Sequence, residues 1–168
     1  MARVLDNVDR GILYMLQLDA RNTTSEEIAA KTGVAASTVR NRLNRLEDDG
    51  IIEGYHPQIN YEAANLPLRV MFVITAPPKK RSDIVDHLMD IQGVIDVSEM
   101  IIGKRNIQVV VVGQDTNDLI RITDAIHDLD VEVESSEIMK QRKVQPFNHF
   151  YFSEAADKLN GSETDSGE

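Results

Sequence analysis

The apolar residues of this chain change their period partway along it, and no other feature restricts the fold as much. Up to about residue 50 they recur at helical spacing: Val8, Ile12, Leu13 and Leu16 first, then Val39, Leu43 and Leu46 at i, i+4 and i+7. From Leu68 onward, apolar runs of strand length alternate with helical stretches, and Pro57 and Pro67 bracket the segment between the two regimes. A chain of 168 residues divided in this way is expected to form two small units of different class.

The first unit reads as three helices. Asp6 stands as a cap with Asp9 in the first turn, where an acid meets the positive end of the helix dipole, and this helix ends near Leu18. Thr24-Ser25-Glu26-Glu27 is a capping box, in which the Thr24 hydroxyl and the Glu27 carboxylate each satisfy a free N–H, and it opens a short second helix. Gly33 suits a left-handed stop. The third helix follows from Ala36 to Asp49 and is closed by Gly50, so two helices joined by a tight glycine turn make a helix-turn-helix. Ile51-Ile52-Glu53-Gly54-Tyr55 reads as a short strand and turn in the place of a wing.

The second unit reads strand 68–75, helix 82–91, strand 94–102, strand 106–113, helix 116–129 and strand 131–139. That βαββαβ order predicts a ferredoxin-like antiparallel sheet with two helices on one face. In Val109-Val110-Val111-Val112 both faces of a strand are apolar, and a second copy of the chain covering the open face is the economical solution. The expected fold class is therefore α+β. The domains are a winged helix-turn-helix over residues 1–60, a linker at 61–67, the βαββαβ domain over 68–145 and a tail over 146–168. Phe147, Phe150, Tyr151 and Phe152 are four of the chain's eight aromatic residues, and the phenylalanines are expected to cover the sheet edge or a seam between dimers. The last eight residues are polar and acidic and are expected to be disordered.

Charge and composition remove several classes of function. The absence of cysteine excludes disulfides, thiol catalysis, thiolate metal sites and iron–sulfur clusters. No run approaches the roughly 20 apolar residues of a membrane span, and no stretch resembles a signal peptide, which makes the cytoplasm the expected compartment. His56, His87, His127 and His149 show no metal-ligand spacing, and neither a catalytic triad nor a phosphate-binding glycine loop is legible, so no catalytic residue, metal or cofactor is expected. The net charge of −10 is spread along the chain, with Asp outnumbering Glu and Arg outnumbering Lys, a pattern similar to proteins of cells with multimolar internal salt.

Against this acidic background, residues 28 to 46 contain no acid at all, yet they hold Lys31, Arg40, Arg42 and Arg45. With Val39, Leu43 and Leu46 as the buried face of the third helix, Ser37, Asn41 and Asn44 point the opposite way. Thr38, Arg40 and Arg45 flank them, and Arg42 lies nearer the core edge. Such a surface suits double-stranded DNA: Lys31, Arg40 and Arg45 on phosphates, Ser37, Thr38 and Asn41 on base edges, and Arg42 on either.

The residues Leu5-Asp6, Asp9 and Ile12-Leu13, then Ile28-Ala29, Thr32-Gly33-Val34, Thr38 to Leu43, Leu46-Glu47 and Gly50-Ile51-Ile52, followed by βαββαβ, resemble the Lrp/AsnC (feast/famine) transcriptional regulators over about residues 3 to 143. The resemblance implies a DNA-binding winged helix-turn-helix and a C-terminal domain that dimerises through its sheet. It also implies dimers that assemble into tetramers or octamers, and small effectors, commonly amino acids, bound between dimers. Two departures are visible. Ala35-Ala36 replaces the Ser-Pro usual at the start of the recognition helix, which removes the capping hydroxyl. The effector loop, often Gly-x-x-Asp, is here Gly103-Lys104-Arg105-Asn106, where a neutral amide and two cations shift the expectation toward an acidic effector such as Asp, Glu or a carboxylate metabolite. The competing readings are an enzyme of the siroheme-decarboxylase type on the same architecture, and a metabolite-sensing module without DNA binding.

Overall fold

The structure is a computed structural model, and it describes residues 4–147. The chain packs as two compact units, one holding residues 4–57 with 143–147 and the other residues 58–142. Residues 58–67 thus pack with the second unit. The expected disorder of the last eight residues and the places of Phe150, Tyr151 and Phe152 lie outside the described residues.

The first unit contains α1 (Asn7–Asp19), α2 (Ser25–Thr32) and α3 (Ala36–Asp48). Both start signals operate: Asp6 and Asp9 form a reciprocal capping box on α1, as Thr24 and Glu27 do on α2. Gly33 ends α2 in the left-handed conformation (φ 73°), and its N–H donates to the Ala29 carbonyl at 2.9 Å. Ala35 gives α3 no side-chain cap, as the sequence indicates. Ile12, Ile28, Val39 and Leu46 make the shared core of the three helices.

The wing-like segment departs from expectation, because residues 51–55 form no strand. The N–H groups of Ile51 and Ile52 both donate to the Leu46 carbonyl, at 2.9 and 3.0 Å, and both side chains pack against the helical core. Backbone groups satisfied by the end of α3, together with two adjacent isoleucines drawn to the core, leave nothing for a strand ladder to gain.

The second unit contains β1 (Leu68–Thr75), α4 (Arg81–Asp90), β2 (Val94–Glu99), β3 (Ile107–Gly113), α5 (Thr116–His127) and β4 (Glu132–Ile138). The sheet order is β2-β3-β1-β4 and every pairing is antiparallel, which is the ferredoxin-like arrangement expected. Val70, Phe72 and Ile74 of β1 and Ile107, Val109 and Val111 of β3 point to one face, where Ile84 and Leu88 of α4 and Ile122 and Ile126 of α5 cover them. The other face carries Met71 and Val73 of β1 and Val110 of β3, all half-buried, with Ser135 and Glu137 of β4 beside them. Its centre is apolar and its rim polar. Among the described residues no helix is long and apolar enough to cross a membrane.

Gly93 sits closely against its neighbours. Its φ is +102°, and a Cβ there would lie 2.6 Å from Ile122 Cδ1 and 2.9 Å from the Val112 carbonyl oxygen. Gly93→Ala combines a disfavoured backbone conformation with a backbone clash, and chemical unfolding is expected to show a loss of about 2 kcal/mol or more.

Candidate nucleic-acid interface

The helix α3 offers the face expected of it. Ser37, Arg40, Asn41, Asn44 and Arg45 are exposed, Thr38 is half-buried, and Val39 and Leu46 are fully buried on the opposite side. Lys31, exposed in the last turn of α2, and Arg45 make no ion pair among the described residues. Asn44, which the sequence places on this face without a role, extends the polar surface by one turn.

Two arginines stand differently from the sequence expectation. Arg42 does not face outward: its Nη1 lies 2.8 Å from Asp6 Oδ2 and 3.3 Å from Asp9 Oδ1, and the Asp9 side chain is only 1% exposed. A buried carboxylate in the first turn of α1 captures the guanidinium, so Arg42 ties α3 to α1 and does not join the exposed polar face of α3. Arg40 is not unopposed either, because Glu26 of α2 lies 3.0 Å from its Nη1. Both partners are exposed, at 56% and 69%, and an exposed pair contributes at most about 1 kcal/mol, so Glu26 holds Arg40 only weakly. Acids from α1 and α2 have thus been folded against a segment that contains none.

The effector loop is also redistributed. Gly103 (φ +120°), Lys104 and Arg105 are exposed at the tip between β2 and β3, but Asn106 is buried. Its Oδ1 accepts from the Ala76 N–H and its Nδ2 donates to the Ala76 carbonyl, both at 2.9 Å, while its own N–H donates to the Ile74 carbonyl at 3.0 Å. Asn106 is therefore a clamp between the start of β3 and the end of β1, and it is not a ligand group. Lys104 Nζ lies 2.8 Å from Glu134 Oε1 and 3.8 Å from Glu132 Oε2, both on β4. The Thr75 hydroxyl is 2.9 Å from the same Glu134 oxygen. The contact with Glu134 raises the Lys104 ammonium above its ordinary value, and the bonds from Lys104 and Thr75 lower the Glu134 carboxyl. Arg105 makes no ion pair among the described residues and is the available cation of the loop. Thr75 and Glu132 border a shallow cavity of about 420 Å³ that Ala76, Pro77, Asp130 and Val131 also line. Among the described residues no cluster of His, Asp and Glu is arranged to hold a metal ion.

Comparison with known proteins accords with this geometry. A winged helix-turn-helix DNA-binding family model matches residues 5–53. An HTH-type transcriptional regulator of Pyrococcus horikoshii is 35% identical over 117 residues, which cover 70% of this chain and 73% of that protein. The chain belongs to the Lrp/AsnC family. The feast or famine regulatory protein of Mycobacterium tuberculosis, solved in complex with L-methionine, superposes with a TM-score of 0.74 at 28% identity, covering 84% of this chain and 96% of that one. Another HTH-type regulator, from Pyrococcus furiosus, is 40% identical over 80 residues, and the aligned part spans only 53% of its length.

Within the Lrp/AsnC frame, the residues that sequence reasoning missed are the acids that meet the basic segment: Asp6, Asp9 and Glu26 against α3, and Glu134 against Lys104. Asp9 carried a signal, since it is an acid that sits on the buried face of an amphipathic helix and requires a cation.

Removing the Arg42 guanidinium leaves Asp9 buried without that partner. Arg42→Ala is expected to destabilise the helical unit by about 3 kcal/mol, the low end for a broken buried pair because Arg42 is 29% exposed. The pH dependence should change with it. Burial opposes ionisation of Asp6, but the Asp9 N–H and Arg42 outweigh it and hold the Asp6 carboxyl below the usual aspartate range. A lowered folded-state value contributes stability that is present above the ordinary aspartate range and is lost as pH falls through the lowered value. Urea unfolding between about pH 6 and 2 should therefore show a shallower acid limb in Arg42→Ala than in the native chain. Asn106→Ala leaves the Ala76 N–H and carbonyl unpaired, and is expected to cost about 2 kcal/mol in the sheet unit by the same measurement.

Proposed function

We propose that this Lrp/AsnC chain is a sequence-specific DNA-binding transcriptional regulator that responds to a small amino acid or related carboxylate. The observation that carries the reading is the exposed face of α3, where Ser37, Asn41 and Asn44 stand between Arg40 and Arg45 on the second helix of a helix-turn-helix. Asn and Ser present paired donors and acceptors to base edges, while Arg40, Arg45 and Lys31 form charge-assisted bonds to phosphates. Regulation is the proposed role, with no catalytic residue assigned.

The apolar centre of the open sheet face supports a homodimer formed through that face, with tetramers or octamers as higher assemblies. A two-fold dimer presents two copies of α3 to successive major grooves, about one helical turn or 34 Å apart. The effector reading rests on Gly103, Lys104 and Arg105 beside the cavity bordered by Thr75 and Glu132, where Arg105 meets a carboxylate and Glu132 an amino group. The L-methionine in the mycobacterial relative supports an amino acid as ligand class. The acidic surface fits a cytoplasm rich in salt, in which counterion release contributes little and base contacts must carry discrimination.

The test is fluorescence anisotropy of the full chain on its own upstream DNA and on a scrambled duplex, from about 0.2 to 3 M KCl. Preference for the upstream site is expected. Arg40→Ala/Arg45→Ala should weaken binding to both duplexes about equally and reduce the salt slope by about 2, with melting little changed. Absence of preference at every salt concentration, with and without amino acids, would refute the regulator reading.

A further inference from the structure

The exposed face of α3 has to be held in one orientation to read a base sequence, and the start of the helix does little to hold it. Ala35 gives the first turn no side-chain bond, so the half of α3 that carries Ser37, Thr38 and Asn41 begins uncapped. Val39 and Leu46, both fully buried, decide which side of α3 faces the core, but apolar contact has no preferred direction. The pair between Arg40 and Glu26 of α2 is exposed and weak. Arg42 stands apart from these. Its Nη1 lies 2.8 Å from Asp6 Oδ2 and 3.3 and 3.4 Å from the two carboxylate oxygens of the buried Asp9.

Base readout depends on small distances. Side-chain tips stand roughly 5–6 Å from a helix axis, so turning α3 by about 10° moves them by about 1 Å. A hydrogen bond to a base edge does not survive such a displacement, whereas a long cationic side chain still reaches a phosphate. Charge-assisted bonds are short and directional, which lets the contact of Arg42 with α1 resist that rotation.

Resting on the DNA-binding reading above, we propose that Arg42 and Asp9 are a positioning pair that sets base discrimination. They hold the rotation of α3 at which Ser37, Asn41 and Asn44 meet base edges, and they touch no DNA themselves. Asp9 is buried on α1 and Arg42 is engaged by it, so neither belongs to the exposed polar face. The pair therefore acts on the ratio of specific to non-specific affinity and leaves the phosphate contacts proposed for Lys31, Arg40 and Arg45 as they are.

Fluorescence anisotropy on the upstream and scrambled duplexes tests this with two variants of the full chain, each read below its own melting transition. Asp9→Leu/Arg42→Met replaces both charges with apolar side chains and leaves neither buried and unpaired, and Arg42→Lys keeps the charge on a shorter stem. In both, the affinity ratio between the duplexes should fall about tenfold, the equivalent of one base contact, with the scrambled-duplex Kd and the salt slope unchanged. Arg42→Lys decides alone if the double variant does not fold. An unchanged ratio in a folded variant overturns the positioning role. A salt slope lowered by about 1, with both duplexes weakened alike, also overturns it, because Arg42 is then a phosphate contact. A native chain without preference removes the regulator reading and the role of the pair with it, whereas a native preference that the variants retain removes only the role of the pair.

Discussion

The helical unit is organised around the carboxylate of Asp9. It is 1% exposed, in the first turn of a helix whose same face supplies Ile12 and Leu13 to the core. A charge in that position is tolerable only with a cation and hydrogen bonds around it, and Arg42 brings the cation from α3. Since α1 and α3 are joined at this point by a polar contact of short range, the register of one helix on the other is set by it. The face that α3 offers to solvent follows from that register. With Arg42 turned inward toward Asp6 and Asp9, the residues left outside are Ser37, Arg40, Asn41, Asn44 and Arg45, a polar surface of mixed hydrogen-bonding groups with positive charge at its borders.

The sheet unit uses a neutral side chain for a comparable purpose. Asn106 closes two hydrogen bonds on the backbone of Ala76 and so joins the start of β3 to the chain leaving β1. An amide serves well there, because Ala76 presents one donor and one acceptor, and an amide offers one of each in return. Lys104 is held by Glu134 and Glu132 of β4, which leaves Arg105 as the loop's available cation. The loop is therefore more nearly neutral in space than Lys-Arg-Asn is in sequence.

Much of this was legible in one dimension. Asp6, Thr24, Glu27 and Gly33 act locally, through bonds to backbone groups three or four residues away, so their signals survive without knowledge of the fold. The alternation of Val70, Phe72 and Ile74, and of Ile107, Val109 and Val111, is likewise a property of the strand itself, and the order of elements then permits few topologies. The wing segment was misread for the converse reason. Ile51 and Ile52 have strong strand preference, but the Leu46 carbonyl and the core of three helices compete for them, and neither competitor lies in the segment.

The sequence by itself determined where the helices begin, which faces are apolar and which residues occupy the outer side of the third helix, because periodicity and capping depend on near neighbours. Only the tertiary structure decided which charges are free. Arg42 meets Asp9 across a sequence separation of 33 and Lys104 meets Glu134 across 30, and Coulomb attraction follows distance in space, which the count of acids between two basic residues does not measure. The segment that looks unopposed on paper is thus opposed in the folded chain by Asp6 and Asp9 at the start of α1 and by Glu26 of α2.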